Sequence, residues 1–337
     1  MQSTRIVLAA RPTGMPTEQN FRTEVVDLPT PGEGQALLQT LYLSLDPYMR
    51  GRMSDAPSYA PPVEVGHTMV GATVSRVIET TSDTVQPGDL VLGYGGWQTH
   101  SVEPVHTLRR IASDAPPSTA LGVLGMPGFT AYSGLLTIGR PAFGETVVVA
   151  AATGPVGATV GQIARLRGAR AVGIAGGPEK VALLRNHFGF DAAIDHRAPD
   201  FADQLAAATP EGIDVYFENV GGAVLDAVLP RLNKFARIPV CGLVSHYNDT
   251  EPAPGPDRLA MMMSLVLRRS LTVRGFIQTE FAEEQYPAFL ADAGQWLANG
   301  QLTYLEDIVD GLDNAVEAFR GLLVGNNLGK LVIKVAD

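Results

Sequence analysis

Residues 146–161 read TVVVAAATGPVGATVG, a continuous apolar run that leads straight into a glycine-rich turn. The run at 146–151 is rich in β-branched residues and predicts a strand buried on both faces, as in a parallel sheet. The residues after the turn, GQIAR at 161–165, predict a helix. The turn has the form A-x-G-x-x-G, with Ala152 in the first glycine position of the dinucleotide fingerprint. The order of strand, turn and helix therefore predicts a nucleotide-binding unit.

The two glycines of this turn have separate predicted roles. Gly154 would let the backbone approach a pyrophosphate, and Gly157 would let the helix pack closely on the strand. Pro155 and Val156 lie between them, where the helix is predicted to begin. A helix N-terminus offers N–H donors and a partial positive charge to phosphates. A tight turn with a purely structural role is the alternative for this motif.

Strands and helices alternate through the rest of this half of the chain. This alternation predicts a doubly wound parallel sheet, and we place that Rossmann domain at residues 126–299. The predicted strands lie at 171–175, 192–194, 214–217, 237–240 and 271–276, and the predicted helices include 130–138, 179–187 and 283–299.

The first third of the chain has a different pattern. Short alternating runs, such as 35–42 and 69–78, are separated by proline and glycine, which predicts a small barrel-like β domain. The tail at 331–335 is a further predicted strand that returns to this domain. The sequence thus predicts an α/β protein in which residues 1–125 and 300–337 form one discontinuous domain.

The end of the second predicted strand indicates which dinucleotide binds. It ends at Gly176-Gly177, without the carboxylate that accepts hydrogen bonds from the ribose 2′-hydroxyl of NAD. Lys180 follows closely, and His196 and Arg197 come after the next strand. Small residues beside cations suit a 2′-phosphate, so the sequence predicts NADP(H). The alternative for these three side chains is an ordinary solvated surface position.

Composition narrows the classes of partner. The 337 residues include 25 basic and 35 acidic side chains, a balance that opposes nucleic-acid binding. A single cysteine, Cys241, excludes an internal disulfide and a cysteine-based structural zinc site. The chain has no uncharged apolar run of the ~18–20 residues that span a bilayer, and its start lacks the apolar run of a signal peptide. We expect a cytoplasmic protein without nucleic-acid or membrane partners.

Five sequence blocks together resemble a known family. They are LYLSLDPYMRGRM at 41–53, the glycine turn, YFENVGG at 216–222, CGLVSHYN at 241–248 and GNNLGKLVIKV at 325–335. In this order they resemble the zinc-free medium-chain dehydrogenase/reductases, and most of all the NADPH-dependent alkenal/enone double-bond reductases of the prostaglandin reductase and curcumin reductase type. The blocks span nearly the whole chain. The resemblance implies a GroES-like β-barrel catalytic domain split around a Rossmann domain, with NADP(H) and substrate in the cleft between them.

The resemblance also implies an activity. It is the reduction of the C=C bond of α,β-unsaturated aldehydes or ketones, by hydride transfer from NADPH to the β-carbon and without a metal. Tyr48 would line the substrate pocket near the carbonyl group. Tyr247 would lie beside the nicotinamide ribose, with its hydroxyl available to the ribose or to the developing enolate oxygen. For both tyrosines the alternative is simple packing with the hydroxyl satisfied.

Further cofactor contacts follow from the same blocks. The residues that the resemblance places near the ribose and nicotinamide are Asn219, Gly221, Cys241, Gly242, Ser245 and Asn327. The family often has a tyrosine where His196 stands, so the contacts to the 2′-phosphate stay open. A homodimer is also implied, formed through the predicted strand at 271–276.

No metal site is predicted. His67 in VGHT resembles a ligand block of the zinc-containing relatives, but four-coordinate zinc needs several ligands together, and the β domain has no cysteine. Two other functions remain open: a zinc-free NADPH quinone reductase, and a catalytically inactive NADPH-binding protein. The three methionines at 261–263 predict either an adaptable pocket wall or a core helix.

Overall fold

The computed structural model describes residues 1–111, 115–252 and 257–337, and this part of the chain divides into two compact units. One unit contains Met1–Gly122 and Glu306–Asp337, and the other contains Val123–Leu305. None of the helices within these described ranges is long and apolar enough to cross a membrane.

The strands and helices are numbered along the whole chain. The strands are β1 (Gln2–Leu8), β2 (Phe21–Asp27), β3 (Gln35–Ser44), β4 (Thr73–Thr80), β5 (Leu90–Gly93), β6 (His100–Pro104), β7 (Arg109–Arg110), β8 (Thr146–Ala150), β9 (Arg170–Ala175), β10 (Ala192–Asp195), β11 (Ile213–Phe217), β12 (Leu232–Val240), β13 (Thr272–Gly275), β14 (Glu306–Asp310) and β15 (Lys330–Lys334). The helices are α1 (Tyr48–Arg52), α2 (Met126–Ser133), α3 (Pro155–Leu166), α4 (Pro178–Asn186), α5 (Phe201–Ala208), α6 (Gly222–Val228), α7 (Leu259–Arg269), α8 (Ala282–Ala298) and α9 (Ala315–Leu323).

The unit that contains both chain ends is built on β strands. In its described residues, a seven-stranded sheet has the order β14-β15-β3-β4-β5-β7, with β6 also paired to β3. The strand β15 pairs antiparallel with β3, so the last strand of the chain completes the sheet that the first third begins. Its main core surrounds Trp97, whose ring stacks on Phe21 at 5.7 Å and meets the edge of Phe319 at 5.6 Å.

The other unit is a Rossmann domain. Its described residues form a six-stranded sheet in the order β10-β9-β8-β11-β12-β13, in which every neighbouring pair is parallel. This order reverses between β8 and β11, and in open parallel sheets ligands bind beside the carboxyl ends of the strands at such a point. All five residues of β8 are buried, as the apolar run predicts. The prediction of an α/β fold with a doubly wound parallel sheet and a separate β-sheet unit is confirmed.

Two local predictions need correction. The helix predicted at 130–138 begins earlier, as α2 at Met126, and continues as a π-helix over Gly134–Gly139. The small Gly134 permits this packing, because a Cβ there would lie 2.3 Å from Cζ of Phe276. In α7, Met261 and Met263 are 47% and 56% exposed, so the interpretation as a core helix is wrong for these two residues.

Candidate active site

The turn after β8 brings the start of α3 against the end of the strand. Ala151 has a φ of 51°, a left-handed conformation that is uncommon for a residue with a side chain. A Cβ on Gly157 would lie 2.5 Å from the carbonyl oxygen of Ala151, so glycine is required for this close approach. A Cβ on Gly154, the N-cap residue of α3, would meet that oxygen only at 3.4 Å. The Gly154 side of the turn therefore has open space, and helix N-terminal N–H groups are the kind of donor that binds an anion.

The end of β9 has a basic rim. A Cβ on Gly176 would lie 2.8 Å from Nε of Arg197 and 2.9 Å from Nε2 of His196, so both side chains lie over this glycine. His196 and Arg197 are both exposed. Lys180 lies on the first turn of α4, close enough for its charge to affect the imidazole of His196. Partial desolvation, followed by the charges of Arg197 and Lys180, lowers the pKa of His196 below its usual value.

The carboxylate nearest to this rim is held by the backbone. Asp195 accepts hydrogen bonds at Oδ1 from the N–H groups of Gly177, at 2.8 Å, and Arg197, at 2.9 Å. Desolvation alone would raise the pKa of Asp195, but these two hydrogen bonds and the neighbouring cations outweigh it and lower the pKa. The ionised Asp195 thus fixes the loop that carries His196 and Arg197.

A buried acid organises the loop after β11. Glu218 is 1% exposed, and its Oε1 accepts hydrogen bonds from the N–H groups of Val220, at 2.6 Å, and Gly221, at 2.9 Å. Burial raises the pKa of Glu218 despite these hydrogen bonds. Asn219 donates its amide hydrogen to the carbonyl oxygen of Ala150 at 2.8 Å. This contact joins the ends of β11 and β8 at the point where the strand order reverses.

The loop after β12 is attached to the loop after β11. The N–H groups of Cys241 and Gly242 donate to the carbonyl oxygen of Glu218 at 2.9 and 3.2 Å. The hydroxyl of Ser245 donates to the carbonyl oxygen of Val220. A Cβ on Gly242 would lie 3.2 Å from the hydroxyl oxygen of Tyr247, so that phenol lies over a glycine at the end of the strand.

Two further residues complete this surface. His246 lies next to Gly221, where a Cβ would be 3.2 Å from its Nε2, and its Nδ1 is 2.7 Å from Oδ2 of Asp249. Sequence reasoning missed the His246–Asp249 pair, although His246 is part of the CGLVSHYN block and Asp249 follows it directly. Burial and the charge of Glu218 raise the pKa of Cys241 to about 12, so its thiol is not a nucleophile near neutral pH.

In the β-rich unit, Tyr48 begins α1 beside a buried ion pair. Nζ of Lys330 lies 2.8 Å from Oδ1 of Asp46 and donates a second hydrogen bond to the carbonyl oxygen of Leu45 at 2.7 Å. Burial, followed by the charge of Asp46, raises the pKa of the half-buried Tyr48. The phenol therefore stays protonated at neutral pH and can donate a hydrogen bond.

Four other residues of this unit bear on the candidate site less directly. The side-chain amide of Asn327 donates a hydrogen bond to the carbonyl oxygen of Gly329 at 2.7 Å, and this bond stabilises the turn that contains both residues. Tyr59 and Tyr94 both act electrostatically on Tyr48, and sequence reasoning did not single out either of them. His67 is exposed, and among the described residues no group of three or more His, Cys, Asp or Glu side chains is placed to hold a metal ion.

The structure thus brings the predicted cofactor residues of the Rossmann domain to one edge. The residues from the glycine turn, the β9 end and the loops after β10, β11 and β12 all lie at the carboxyl ends of parallel strands. Tyr48 and Asn327 belong to the β-rich unit and are described with it.

Comparison with known proteins identifies the family. A model for the N-terminal domain of oxidoreductases matches residues 4–111, and a zinc-binding dehydrogenase model matches residues 155–294. The NADPH-dependent curcumin reductase of Escherichia coli (strain K12) is 58% identical over 334 residues, covering 98% of this chain and 96% of that protein. The chain belongs to the NADPH-dependent double-bond reductases of the medium-chain dehydrogenase/reductase superfamily.

Two more comparisons support this membership of the double-bond reductases. The NADP(+)-dependent 2-alkenal reductase of Nicotiana tabacum is 39% identical over 339 residues, covering 98% of this chain and 97% of that protein. The crystal structure of CurA from Vibrio vulnificus in complex with NADPH matches with a TM-score of 0.96 and 52% identity, covering 99% of both chains. The predicted family is confirmed, and the roles of the individual residues follow as proposals.

Proposed function

We propose that this protein reduces the C=C bond of α,β-unsaturated aldehydes and ketones with NADPH. The observation that carries the proposal is the similarity along the whole chain to double-bond reductases, including an NADPH-dependent curcumin reductase at 58% identity. A named 2-alkenal reductase at 39% identity supports the same class of substrate. The protein would be an NADP-dependent oxidoreductase that acts on carbon–carbon double bonds.

The donors at the sheet edge fit NADP(H). The start of α3 with its open Gly154 side suits a pyrophosphate, since helix N-terminal N–H groups bind anions. The Gly176 position, with Arg197 and His196 over it and Lys180 nearby, suits the 2′-phosphate. Pro155, Val156 and Gly157 would hold the first turn of α3 in place. Asn219, Gly221, Cys241, Gly242, Ser245 and Asn327 are the candidates for contacts to the ribose and nicotinamide.

The two tyrosines supply the chemistry that the chain itself can perform. When bound, NADPH supplies the hydride that adds to the β-carbon of the substrate. Negative charge then develops on the carbonyl oxygen, and a neutral phenol stabilises it by donating one directional hydrogen bond. A proton from solvent or a tyrosine would then add to the α-carbon and complete the reduction. Tyr48 has the raised pKa that keeps its hydroxyl protonated. Tyr247 lies over Gly242 at the ligand-binding edge of the sheet.

We also propose that the protein works in the cytoplasm as a homodimer. All four residues of β13, the edge strand of the parallel sheet, are exposed. Beside it in the chain, α7 exposes the apolar side chains of Leu259, Met263 and Leu267. A second copy of the chain that pairs its own β13 with this edge would cover these groups.

Purified protein tests the proposed activity. We expect oxidation of NADPH, followed by its absorbance, with a panel of 2-alkenals, acyclic enones and curcumin-like diketones. Tyr247→Phe removes one hydrogen-bond donor and should lower kcat by about 10²–10³, while NADPH binding, measured by nucleotide fluorescence, changes little. Tyr48→Phe should lower kcat in the same direction.

The other outcomes identify the alternatives. Turnover of quinones without turnover of any enone would overturn the proposal in favour of a quinone reductase. Binding of NADPH without turnover of the whole panel would make the protein an inactive NADPH-binding relative. Full activity in both tyrosine variants would contradict the roles given to Tyr48 and Tyr247.

A further inference from the structure

We propose that His196 binds the 2′-phosphate in its protonated form, so that the preference of this protein for NADPH over NADH strengthens as the pH falls. This inference rests on the proposed function, because it assumes that NADPH binds at the edge of the parallel sheet. The inference makes His196 a specificity-determining residue, whose contribution to the NADPH preference depends on the protonation of its imidazole.

Geometry places the imidazole where a phosphate would be recognised. Nε2 of His196 lies 2.9 Å from the position of a Cβ on Gly176, and Nε of Arg197 lies 2.8 Å from the same position. Because Gly176 has no side chain, the guanidinium of Arg197 and the imidazole of His196 can lie directly over its backbone. A neutral imidazole offers one N–H donor, whereas the protonated ring offers two donors and a positive charge. Only the protonated ring therefore adds to the electrostatic attraction that Arg197 already provides.

The charged groups around His196 come from α4 and from the two residues next to it in the chain. Lys180 is on α4, Asp195 ends β10, and Arg197 is the next residue in the chain. The two cations disfavour the charged imidazole, while Asp195 favours it and is itself bonded to the N–H groups of Gly177 and Arg197. Without a nucleotide, desolvation of the imidazole, which is the largest effect, and these charges together hold the pKa of His196 below its usual value.

A bound 2′-phosphate would reverse the effect of the neighbouring charges on His196. It carries up to two negative charges, which offset the charges of Arg197 and Lys180 and favour the protonated imidazole. Binding would then be coupled to the uptake of a proton by His196. By linkage, each unit by which the phosphate raises the pKa of this histidine strengthens low-pH binding by about tenfold. NADH lacks the 2′-phosphate, so its binding would lack this coupling.

Titration calorimetry with fragments tests the coupling directly. The probes are adenosine 2′,5′-bisphosphate and adenosine 5′-monophosphate, which differ only in the 2′-phosphate, measured at pH 6, 7 and 8 in two buffers of different ionisation enthalpy. For the unsubstituted protein we expect proton uptake with the bisphosphate at pH 7 and none with the monophosphate. The ratio of the two affinities should rise from pH 8 to pH 6.

Variants distinguish proton uptake by His196 from the titration of the phosphate, which has its own ionisation near pH 6. His196→Gln keeps a hydrogen-bonding side chain that cannot take up a proton, so its proton uptake and its affinity ratio should show the titration of the phosphate alone. His196→Arg carries a fixed charge and should keep a high affinity ratio at pH 8. Arg197→Gln is the matched control and should weaken bisphosphate binding at every pH while proton uptake persists.

The outcomes distinguish this inference from the proposed function. Equal proton uptake and an equal pH profile in the unsubstituted protein and His196→Gln would overturn the role of His196 and leave the reductase function standing. Failure of the unsubstituted protein to bind NADPH at any pH would overturn the proposed function instead.

Discussion

Glu218 shows how one buried side chain supports a surface built from two loops. Its Oε1 accepts hydrogen bonds from the N–H groups of Val220 and Gly221, while its backbone oxygen accepts from those of Cys241 and Gly242. Within the described residues, its Oε2 has no hydrogen-bond partner. An acid in this setting is more stable when neutral, because ionisation would leave a buried charge that only part of its surroundings compensates.

This raised pKa predicts a dependence of stability on pH. A carboxyl group whose pKa is raised in the folded protein stabilises the fold fully below its ordinary value of 4.5, and that contribution is lost as the pH rises through the folded value. Glu218→Gln cannot ionise and should not show the loss. In urea unfolding from pH 4 upward, the free energy of unfolding of the unsubstituted protein should fall relative to Glu218→Gln, by about 1.4 kcal/mol per pH unit within that window.

A second variant provides the control for Glu218. Glu218→Ala leaves the N–H groups of Val220 and Gly221 without this acceptor, so it should destabilise the fold by about 1–3 kcal/mol at all pH values. A difference between the unsubstituted protein and Glu218→Gln that stays constant over the whole pH range would contradict the raised pKa.

At the scale of elements, the junction of β8 and α3 depends on two glycines in different ways. A Cβ on Gly157 would lie 2.5 Å from the backbone oxygen of Ala151 and 2.7 Å from Cα of Ala152, and backbone atoms cannot move aside as a flexible side chain does. A Cβ on Gly154 would be 3.4 Å from that same oxygen, which is an acceptable contact. Gly157 therefore allows α3 to pack closely on the end of β8, and Gly154 leaves space on the outer side of the turn.

The two alanine variants should differ accordingly. Gly157→Ala should destabilise the fold by about 1–3 kcal/mol, because it pushes α3 away from β8, and should also weaken NADPH binding. Gly154→Ala should keep the stability nearly unchanged and weaken NADPH binding, since the added methyl group occupies the space proposed for the pyrophosphate. Thermal unfolding without nucleotide and NADPH titration measure the two effects separately.

Gly294 in α8 is the matched control for these variants. A Cβ there would meet nothing within 4 Å, so Gly294→Ala should leave NADPH binding unchanged and stabilise the helix by up to about 1 kcal/mol. Equal stability losses in Gly154→Ala and Gly157→Ala would contradict the separation of their roles.

At the scale of the whole molecule, local patterns predicted the elements better than the contacts between them. The apolar run at β8 and the alternation of strands with helices predicted the parallel sheet, because burial on both faces leaves a continuous apolar stretch. The Asp46–Lys330 ion pair could not be predicted in this way, since it joins residues 284 positions apart. The burial of Glu218 also depends on β12, which no pattern near residue 218 shows.

In the candidate site, too, local patterns predicted which residues take part but not how their side chains meet. Sequence reasoning placed His196, Arg197 and Lys180 near a phosphate because each follows the end of a predicted strand. It did not show that two of these side chains lie over the same glycine, because that depends on the pairing of β9 with β10. It also missed the His246–Asp249 pair, whose short contact follows from the turn in the loop after β12 rather than from a recognisable motif.

The last prediction concerns the assembly of the whole chain. If two copies pair through β13, sedimentation should give a mass of about 71 kDa, twice the 35.7 kDa of one chain. Val273 in β13 and Leu267 in α7 are 42% and 81% exposed, so a charge at either position should cost little in the isolated chain. Val273→Lys and Leu267→Asp should shift the equilibrium towards the monomer, because each places a charge in an interface that excludes water.

Phe143 supplies the control for this experiment. Its side chain is 89% exposed in the same Rossmann domain, but it belongs to neither β13 nor α7. Phe143→Asp removes an apolar group that is more exposed than Leu267 or Val273 and should leave the sedimentation mass unchanged. A monomer at micromolar concentration in the unsubstituted protein would contradict the dimer. Dissociation caused equally by Phe143→Asp would show that association depends on general surface apolarity and not on the β13 edge.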